Sequence, residues 1–453
     1  MEDTIAAIAT AIGSGGIAII RISGARALEV ADAVFSSRQG TPSVFPTHTV
    51  HYGKIIANNN IVDQVMLTVL RAPRSYTTED TVEINCHGGL VTAKLILALC
   101  FQHGARPAQP GEFTKRAFLN GRINLTQAEA VMDLIQARTE KAQAVAVRTL
   151  EGGVSRQVEA IREQLLELLA HIEAHVDFPE EDIQPETKTG ILDKLTDAQT
   201  TILKLLSTSQ QGKLLRDGVL VAIVGRPNVG KSSLMNAILG CDRSIVTPIS
   251  GTTRDTIEET ASISGIPIRL TDTAGFRKAR GVIEQSGVSR SRNILLQCDL
   301  ILNVLDASRS YSGKDKELSD LCVGKPVIFV LNKVDKKSRL KIPNDFLMSN
   351  SVAVSAAKGY GLSELRQKIA DVILNGGLGS SDLDASINPR HEISLKRTLE
   401  SLANAATCLS INTGYELVAQ ELRISLQSLE EVIGVATTED ILDHIFGSFC
   451  IGK

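Results

Sequence analysis

A glycine-rich loop behind an apolar strand constrains the fold of this chain more than any other feature. The run "VLVAIV" predicts a buried strand, and the loop "GRPNVGKSS" follows it directly from Gly225. The loop fits the pattern G-x-x-x-x-G-K-[ST] with Gly225, Gly230, Lys231 and Ser232. Glycines there let backbone N–H groups point at phosphate, the lysine adds positive charge, and the hydroxyl reaches Mg²⁺. Because the helix-like "SSLMNAIL" comes next, the sequence predicts a strand–loop–helix unit that binds nucleotide phosphates.

Further motifs follow in chain order and indicate a guanine nucleotide. They are "GTTRD" (251–255), "DTAG" (272–275), "NKVD" (332–335) and "SAAK" (355–358). The hydroxyl of Thr253 can close over the metal and γ-phosphate, Asp272 can hold Mg²⁺ through water, and the N–H of Gly275 can sense the γ-phosphate. Asp335 selects the base, because a carboxylate accepts two hydrogen bonds from the adjacent N1–H and N2–H₂ of guanine, which adenine lacks.

Two positions narrow the predicted mechanism of hydrolysis. Ras-like switches place a water-positioning glutamine after D-x-x-G, but this chain has Phe276 there, which cannot do that work. Glu284 in the loop "RGVIEQSG" is our candidate for orienting water, the alternative being an ordinary solvated glutamate. Asn228 in the phosphate loop offers an amide that can help hold a monovalent cation in place of an arginine finger, although asparagine also suits tight loops.

Length and periodicity predict several domains. A chain of 453 residues is too long for one ordinary core. Residues 1–118 show short apolar runs typical of an α+β domain, 119–215 and 379–453 show the three- and four-residue spacing of helices, and 216–378 alternate strands with helices. We therefore expect a multidomain α+β and α/β protein, in which a Ras-like doubly wound G domain is inserted into a helical domain. The stretch "NGGLGSSDLDAS" predicts a hinge.

Charge and cysteine usage exclude some classes of protein. The net charge of -3 gives no broad attraction for nucleic acid, so RNA contact needs a local basic patch or a partner. Seven scattered cysteines without a C-x-x-C pair argue against a disulfide framework or zinc ribbon and favour the reducing cytoplasm. The apolar N-terminal run predicts a strand–turn–strand rather than a signal peptide, because Glu2 and Asp3 precede it.

The whole chain resembles the tRNA modification GTPase family MnmE (also called TrmE). The resemblance lies in "IRISG", "HGG", "QPGEFTKRAFLNG", "DFPEE", the GTPase motifs and the terminal "FCIGK". It implies an N-terminal folate-binding domain that forms a homodimer, and G domains that meet across that dimer when GTP and K⁺ bind. It also implies a tetrahydrofolate derivative (5-formyl or 5,10-methylene) as a one-carbon source. With an FAD-containing partner, MnmG (GidA), in a heterotetramer, the family installs an aminomethyl-type group (carboxymethylaminomethyl) at C5 of the wobble uridine, U34, of certain tRNAs.

Carried over by position, the resemblance implies a role for individual residues. The K⁺ contacts are Asn228, Thr247, Ile249 and Thr252, and the Mg²⁺ contacts are Ser232 and Thr253. The folate contacts are Arg21, Glu83, Arg122 and Lys453, with Arg122 standing where several relatives have lysine. The catalytic candidates are Glu284 and Cys450. The predicted nucleotide contacts are Asn228, Val229, Gly230, Lys231, Ser232, Ser233, Thr247, Thr252, Thr253, Asp272, Thr273, Ala274, Gly275, Asn332, Lys333, Asp335, Ser355, Ala356 and Ala357.

The tail and two short motifs allow other interpretations. "CIGK" has the spacing of a prenylation box, but lysine is not a usual final residue and no polybasic run precedes it, so we expect no membrane anchor. We expect the tail to fold onto the folate pocket, with Cys450 acting as a nucleophile or, alternatively, packing as a buried cysteine. "HIEAH" predicts ordinary helix histidines rather than a zinc site, and "DFPEED" predicts a solvated turn.

The sequence thus predicts a K⁺-dependent GTP hydrolase of tRNA modification. The alternative is a GTP switch that assists RNA or ribosome assembly without modification chemistry. A dynamin-like membrane remodeller is disfavoured, because no lipid-seeking segment is evident. The folate residues and the terminal cysteine distinguish the first hypothesis, since a pure switch has no need of them.

Overall fold

The structure is a computed structural model, and it describes residues 3–177, 187–240, 258–272, 295–340, 350–375, 385–411 and 413–453. Of residues 258, 272, 374 and 375 only the backbone is described. The chain divides into two compact units. The first comprises Met1–Met132, Ser155–Leu195 and Arg397–Lys453, and the second Asp133–Val154 and Thr196–Lys396.

The first unit contains a seven-stranded sheet in the order β3-β4-β5-β6-β2-β1-β7. Its strands are β1 Ile5–Ile8, β2 Ile17–Ser23, β3 Phe35–Ser36, β4 Thr49–Ala57, β5 Asn60–Leu70, β6 Thr81–His87 and β7 Arg106–Pro107. All neighbours are antiparallel except β1 and β7. The antiparallel pair β1–β2 confirms the N-terminal strand–turn–strand.

The two faces of this sheet carry different residues, because successive side chains of a strand point to opposite faces. One face is buried: Ile20, Ile84 and Leu67 pack with Val30 of helix α1 (Ala27–Val34) and Ile96 of helix α2 (Leu90–Gln102). Residues of the alternate positions lie on the other face. There Arg21 pairs in register with Glu83, and Tyr52 with Met66. The register therefore places two of the four predicted folate residues, Arg21 and Glu83, side by side.

Helices complete the first unit. Those that lie within it, besides α1 and α2, are α3 Glu112–Leu119, α6 Ser155–Asp177, α13 Tyr415–Ile433 and α14 Glu439–Gly447. Helices α6 and α13 are joined by two ion pairs, Arg162–Glu430 at 2.7 Å and Arg423–Glu173 at 2.6 Å. The remaining helices of the helical segments are α4 Leu125–Gln136, α5 Glu140–Leu150, α7 Lys188–Ser207, α8 Ser209–Asp217 and α12 Pro389–Ser410.

The second unit contains a six-stranded sheet in the order β13-β12-β11-β8-β10-β9. Its strands are β8 Val219–Val224, β9 Glu258–Ile263, β10 Ile266–Asp272, β11 Leu300–Asp306, β12 Val327–Asn332 and β13 Ser351–Val354. The helices α9 Lys231–Gly240, α10 Gly313–Asp320 and α11 Leu362–Asn375 accompany them. All strand pairs are parallel except β9 with β10.

Both faces of this second sheet are covered. Alternate residues of β11 belong to two different apolar clusters, Leu302 with Leu234 and Leu365 on one side and Ile301 with Cys322 on the other. This double cover explains the near-continuous apolar runs of the sequence. It also brings the carboxyl ends of β8, β11, β12 and β13 to one edge, where ligands bind in open α/β sheets. The predicted fold class is confirmed by this architecture.

A break divides one of the helical patterns of the sequence. The long periodic run "QAEAVMDLIQARTEKAQAVAVRTL" forms two helices, α4 and α5, instead of continuing. Thr139 lies in extended conformation between them, and its hydroxyl accepts a 3.2 Å hydrogen bond from the N–H of Ala142. A threonine N-cap satisfies a donor that a new helix leaves unpaired, and so it favours a break.

The hinge predicted near residue 380 falls mostly on 376–384, outside the described residues. The domain boundaries at 118, 215 and 378 stay predictions. Within the described ranges, no helix is both long and apolar enough to cross a membrane.

Candidate functional site

The phosphate loop lies at the carboxyl edge of the second sheet, between β8 and α9. Lys231 opens α9, and its side chain is buried with the ammonium donating to the carbonyls of Gly225 at 2.9 Å and Arg226 at 3.0 Å. Gly230 has φ +100°, and a Cβ there would lie 2.3 Å from the side-chain nitrogen of Asn332. A residue without a side chain is therefore required for the loop to curl this closely, as a phosphate cradle does.

Side chains of the "NKVD" segment donate hydrogen bonds to the backbone of the phosphate loop. The amide nitrogen of Asn332 donates to the carbonyl of Val229 at 2.9 Å, and the ammonium of Lys333 donates to the carbonyl of Asn228 at 2.6 Å. The side-chain oxygen of Asn332 accepts from the N–H of Ala356 at 3.1 Å. Three predicted motifs thus meet through one buried asparagine.

The carboxylate predicted to read the base, Asp335, is held in place by the last motif. The hydroxyl of Ser355 donates to Asp335 at 2.7 Å, and the N–H of Ser355 donates to the carbonyl of Tyr360 at 2.9 Å. The hydrogen bond from Ser355 lowers the pKa of the exposed Asp335 carboxyl. Asp335 is therefore ionised at neutral pH and presents acceptor oxygens to a ligand.

Part of the predicted nucleotide site lies outside the described residues. These predicted residues are Thr247, Ile249, Thr252, Thr253, Thr273, Ala274, Gly275, Phe276 and Glu284. The backbone of Asp272 ends β10. Of the predicted cation contacts, the structure places Asn228 in the phosphate loop and Ser232, exposed, in the first turn of α9. The K⁺, Mg²⁺ and water-orienting roles stay predictions.

A second cluster forms in the first unit, where the tail returns to the N-terminal sheet. Arg21 pairs with Glu83 at 2.9 Å and donates to the carbonyl of Gly452 at 3.3 Å. Backbone contacts hold the tail, residues 450–453, in this position. The N–H of Phe113 donates to the carbonyl of Lys453 at 3.2 Å, and Ile451 forms an isolated antiparallel β-bridge with Pro110. The structure thus brings residues from both ends of the chain into one cluster.

Gly452 makes this close approach possible. Its φ of +97° favours glycine, and a Cβ would meet the carbonyl oxygen of Ile8 at 2.5 Å. The thiol of the neighbouring Cys450 is exposed, so the alternative of a buried packing cysteine does not hold. A chemical role for that thiol stays a prediction.

Aromatic rings underlie the cationic side chains of this cluster. The guanidinium carbon of Arg21 lies 6.0 Å from the ring centre of Tyr76 and 5.6 Å from that of Phe113. The guanidinium carbon of Arg122 lies 5.8 Å from the ring centre of Tyr76, and the guanidinium donates to the carbonyl of Ser75. Sequence reasoning missed both rings. Their rarity could have indicated them. Aromatic residues make up 4% of the chain, so an aromatic residue inside a motif such as "GEFTKR" is a candidate site residue.

The charge balance of the cluster favours an anionic ligand. Arg21 forms an ion pair with Glu83, and the side chains of Arg122 and Lys453 add further positive charge to the cluster. Burial, with a contribution from the cation of Arg21, lowers the pKa of the half-buried Lys453, whereas Glu83 and Cys450 act in the opposite direction. An added carboxylate would relieve this repulsion among cations, and guanidinium groups can bind it through two parallel hydrogen bonds.

The histidines of "HIEAH" lie on α6, where the ring of His175 packs edge-on against Tyr415 with the ring centres 5.4 Å apart. Within the part of the chain that the structure describes, no group of three or more His, Cys, Asp or Glu residues is arranged for a metal ion. Residues 178–182 of "DFPEED" lie outside it.

Known proteins resemble this chain along its whole length. Residues 4–122 match the family described as GTP-binding protein TrmE N-terminus, and residues 125–450 match the MnmE helical domain. The tRNA modification GTPase MnmE of Bacillus subtilis (strain 168) is 43% identical over 458 residues, covering 100% of both chains. That of Clostridioides difficile (strain 630) is 44% identical over 457 residues, again covering 100% of both. Among solved structures, the G domain of the T. maritima FeoB iron transporter is 28% identical with a TM-score of 0.27, covering 34% of this chain and 98% of that one. Full-length identity at this level shows that the chain belongs to the MnmE (TrmE) family.

Proposed function

We propose that this protein is a K⁺-dependent GTP hydrolase that modifies C5 of the wobble uridine of certain tRNAs with a one-carbon unit from tetrahydrofolate. It does so together with an FAD-containing partner of the MnmG type. The observation that carries the proposal is the presence of two sites in one chain. One is the phosphate loop together with Asp335, the carboxylate that we propose reads guanine, and the other is the cationic cluster around Arg21.

At the nucleotide site, the residues of this chain bind and orient GTP. Lys231 sits at the start of α9, where its ammonium can exchange the loop carbonyls for phosphate oxygens. The hydroxyls of Ser232 and Thr253 are suited to Mg²⁺, which prefers oxygen ligands. When bound, Mg²⁺ and K⁺ supply positive charge beside the phosphates. Glu284 orients the attacking water, since Phe276 cannot.

At the second site, the residues fit a tetrahydrofolate derivative. Arg21, Arg122 and Lys453 can bind the carboxylates of its glutamate tail, and Glu83 can accept hydrogen bonds from the N–H groups of its pterin. Tyr76 adds an apolar ring surface of the kind that flat ligands prefer. When bound, the folate supplies the one-carbon unit. The exposed thiol of Cys450 lies on the tail segment that closes this cluster.

The proposed assembly is a homodimer that joins the MnmG-type partner as a heterotetramer and acts on tRNA in the cytoplasm. The open face of the N-terminal sheet supports a dimer, because Val50, Tyr52 and Met66 are exposed on it. Apolar groups clustered on one surface favour a protein partner over water. An RNA or ribosome assembly factor is the second candidate, but such a switch would not need the cationic cluster.

Hydrolysis is expected to depend on the identity of the monovalent cation. If Asn228 helps to hold K⁺, GTP turnover in KCl should exceed that in NaCl at equal ionic strength by about tenfold or more, because the cation replaces an arginine finger. Asn228→Ala should remove the difference while nucleotide binding largely persists. Steady-state phosphate release measures both. Equal rates in the two salts for the unaltered protein would contradict the K⁺ assignment.

The folate proposal is tested by direct binding. Titration calorimetry with 5-formyltetrahydrofolate should show binding to the unaltered chain and about tenfold or weaker binding to Arg21→Ala, which loses a charged hydrogen-bonding group. Arg26→Ala is the matched control, because the guanidinium of Arg26 pairs with Glu29 in an exposed contact of the same unit. An unaltered chain that binds no folate would favour the assembly-factor hypothesis.

A further inference from the structure

A buried carboxylate stands next to the nucleotide site without any role in the predicted contacts. Asp306 ends β11, and its side chain is only 4% exposed. One oxygen accepts from the N–H and the hydroxyl of Ser308, at 3.0 and 2.6 Å. The other accepts from the ammonium of Lys333 at 2.7 Å. Although burial acts to raise it, the hydrogen bonds from Lys333 and Ser308 lower the pKa of Asp306, so the carboxylate is ionised.

Lys333 links this carboxylate to the phosphate loop. The same ammonium that contacts Asp306 also donates to the carbonyl of Asn228 at 2.6 Å. Lys333 and Asn228 both have left-handed backbone, with φ of +69° and +64°. That conformation is uncommon for residues other than glycine and persists when neighbouring contacts fix it. The contact from Lys333 is one that fixes Asn228.

We propose that Asp306 is a positioning residue of the nucleotide site. Its charge holds the ammonium of Lys333 against the carbonyl of Asn228, and so it fixes the segment of the phosphate loop that carries Asn228. A neutral side chain at 306 attracts the ammonium less, because the Coulomb attraction between two opposite charges is lost. The inference rests on the proposed function in one respect, since Asn228 is the proposed K⁺ contact.

The first test compares two identical substitutions at opposite ends of the same strand. Asp306→Asn should weaken binding of a fluorescent GDP analogue by about tenfold, as expected for loss of a charged hydrogen-bond partner. Guanine over adenine preference should persist, because Asp335 is unchanged. Asp299→Asn is the control, since Asp299 precedes β11 and accepts only the N–H of Leu220 among its described side-chain contacts, at 2.8 Å. An Asp306→Asn protein with unaltered GDP affinity would overturn the proposal.

A double-mutant cycle separates this role from a merely structural one. If Asp306 acts through Lys333, the loss of GDP affinity in Asp306→Asn and in Lys333→Met should not add, and the double variant should bind like Lys333→Met alone. The double variant also buries no unpaired charge, so it serves if Asp306→Asn is too unstable to assay. A further tenfold loss on adding Asp306→Asn to Lys333→Met would refute the linkage.

Cation dependence distinguishes failure of this inference from failure of the proposed function. In the unaltered protein, the absence of any preference for K⁺ over Na⁺ would remove the proposed role of Asn228 but leave the GDP-binding test of Asp306 intact. Where K⁺ dependence is present, Asp306→Asn should raise the K⁺ concentration for half-maximal hydrolysis about threefold or more, since Asn228 is held less firmly. An unchanged K⁺ requirement together with weakened GDP binding would confine Asp306 to nucleotide affinity and contradict its action on Asn228.

Discussion

Asp335→Asn is expected to shift the preference of this protein from GTP to XTP. Guanine presents two donors to the carboxylate, whereas xanthine has an oxygen in place of the exocyclic amino group. The asparagine amide would oppose one guanine donor with its own N–H₂ but would donate to that xanthine oxygen. We expect affinity for GTP to fall by about tenfold to a hundredfold, as when a bonding group is left unpaired, and XTP to bind better than GTP.

The structure indicates that this substitution leaves the site folded. Ser355 donates its hydroxyl to Asp335, and the side-chain oxygen of an asparagine can accept the same bond. Competition of GTP and XTP for a fluorescent nucleotide measures the shift. Asp320→Asn, an exposed carboxylate of the same unit on α10, is the control and should leave both affinities unchanged. GTP affinity that is the same in Asp335→Asn and the unaltered protein would refute base selection by Asp335.

Deletion of the last four residues, 450–453, is expected to abolish tRNA modification while GTP hydrolysis persists. The deletion removes the carbonyl of Gly452 that accepts from Arg21, the cation of Lys453 and the bridge between Ile451 and Pro110. It leaves the apolar cluster that includes Phe449, so the helices should remain folded. The predicted nucleotide contacts that the structure describes belong to the other unit. Nucleoside analysis of tRNA treated with the protein and the proposed MnmG-type partner measures modification, and phosphate release measures hydrolysis.

A single substitution in the tail separates ligand binding from chemistry. Cys450→Ser keeps the backbone contacts, so 5-formyltetrahydrofolate should still bind, but modification should fall if the thiolate is the nucleophile. Cys408→Ser, on α12, is the matched control and should change neither. A truncated chain that still modifies tRNA fully would show that the tail has no part in the reaction.

Individual strands and the phosphate loop were predictable from sequence, because residues that are close together in the chain determine them. Strand β11 is buried at all seven positions, and its unbroken apolar run predicts a strand covered on both faces. The glycines of the phosphate loop have the positive φ that the motif requires. The break between α4 and α5 was not predicted. A threonine can cap the start of a new helix or lie on the surface of a continuous one, and the sequence alone does not distinguish the two positions.

Contacts between distant residues were harder to predict from a single sequence. The pairing of Lys333 with Asp306 depends on the order of strands in the sheet, which brings β11 beside β12. The placement of Tyr76 between Arg21 and Arg122 depends on a loop returning over the sheet. In both cases the chemistry of the individual residue is ordinary, and only tertiary structure makes it part of a site.

The bond between Arg21 and Gly452 joins residues that are 431 positions apart in the chain. A ribosome adds about 5 to 20 residues per second, so Arg21 emerges tens of seconds before its partner does. Throughout that interval the sheet that carries Arg21 can fold, but the cluster lacks Gly452 and Lys453. The second unit is synthesised in between, and it can reach its native state before the cluster closes. A nascent chain would thus acquire the capacity to bind nucleotide first and the completed cluster around Arg21, the proposed folate site, last, so that a prematurely terminated product would consume GTP without modifying tRNA.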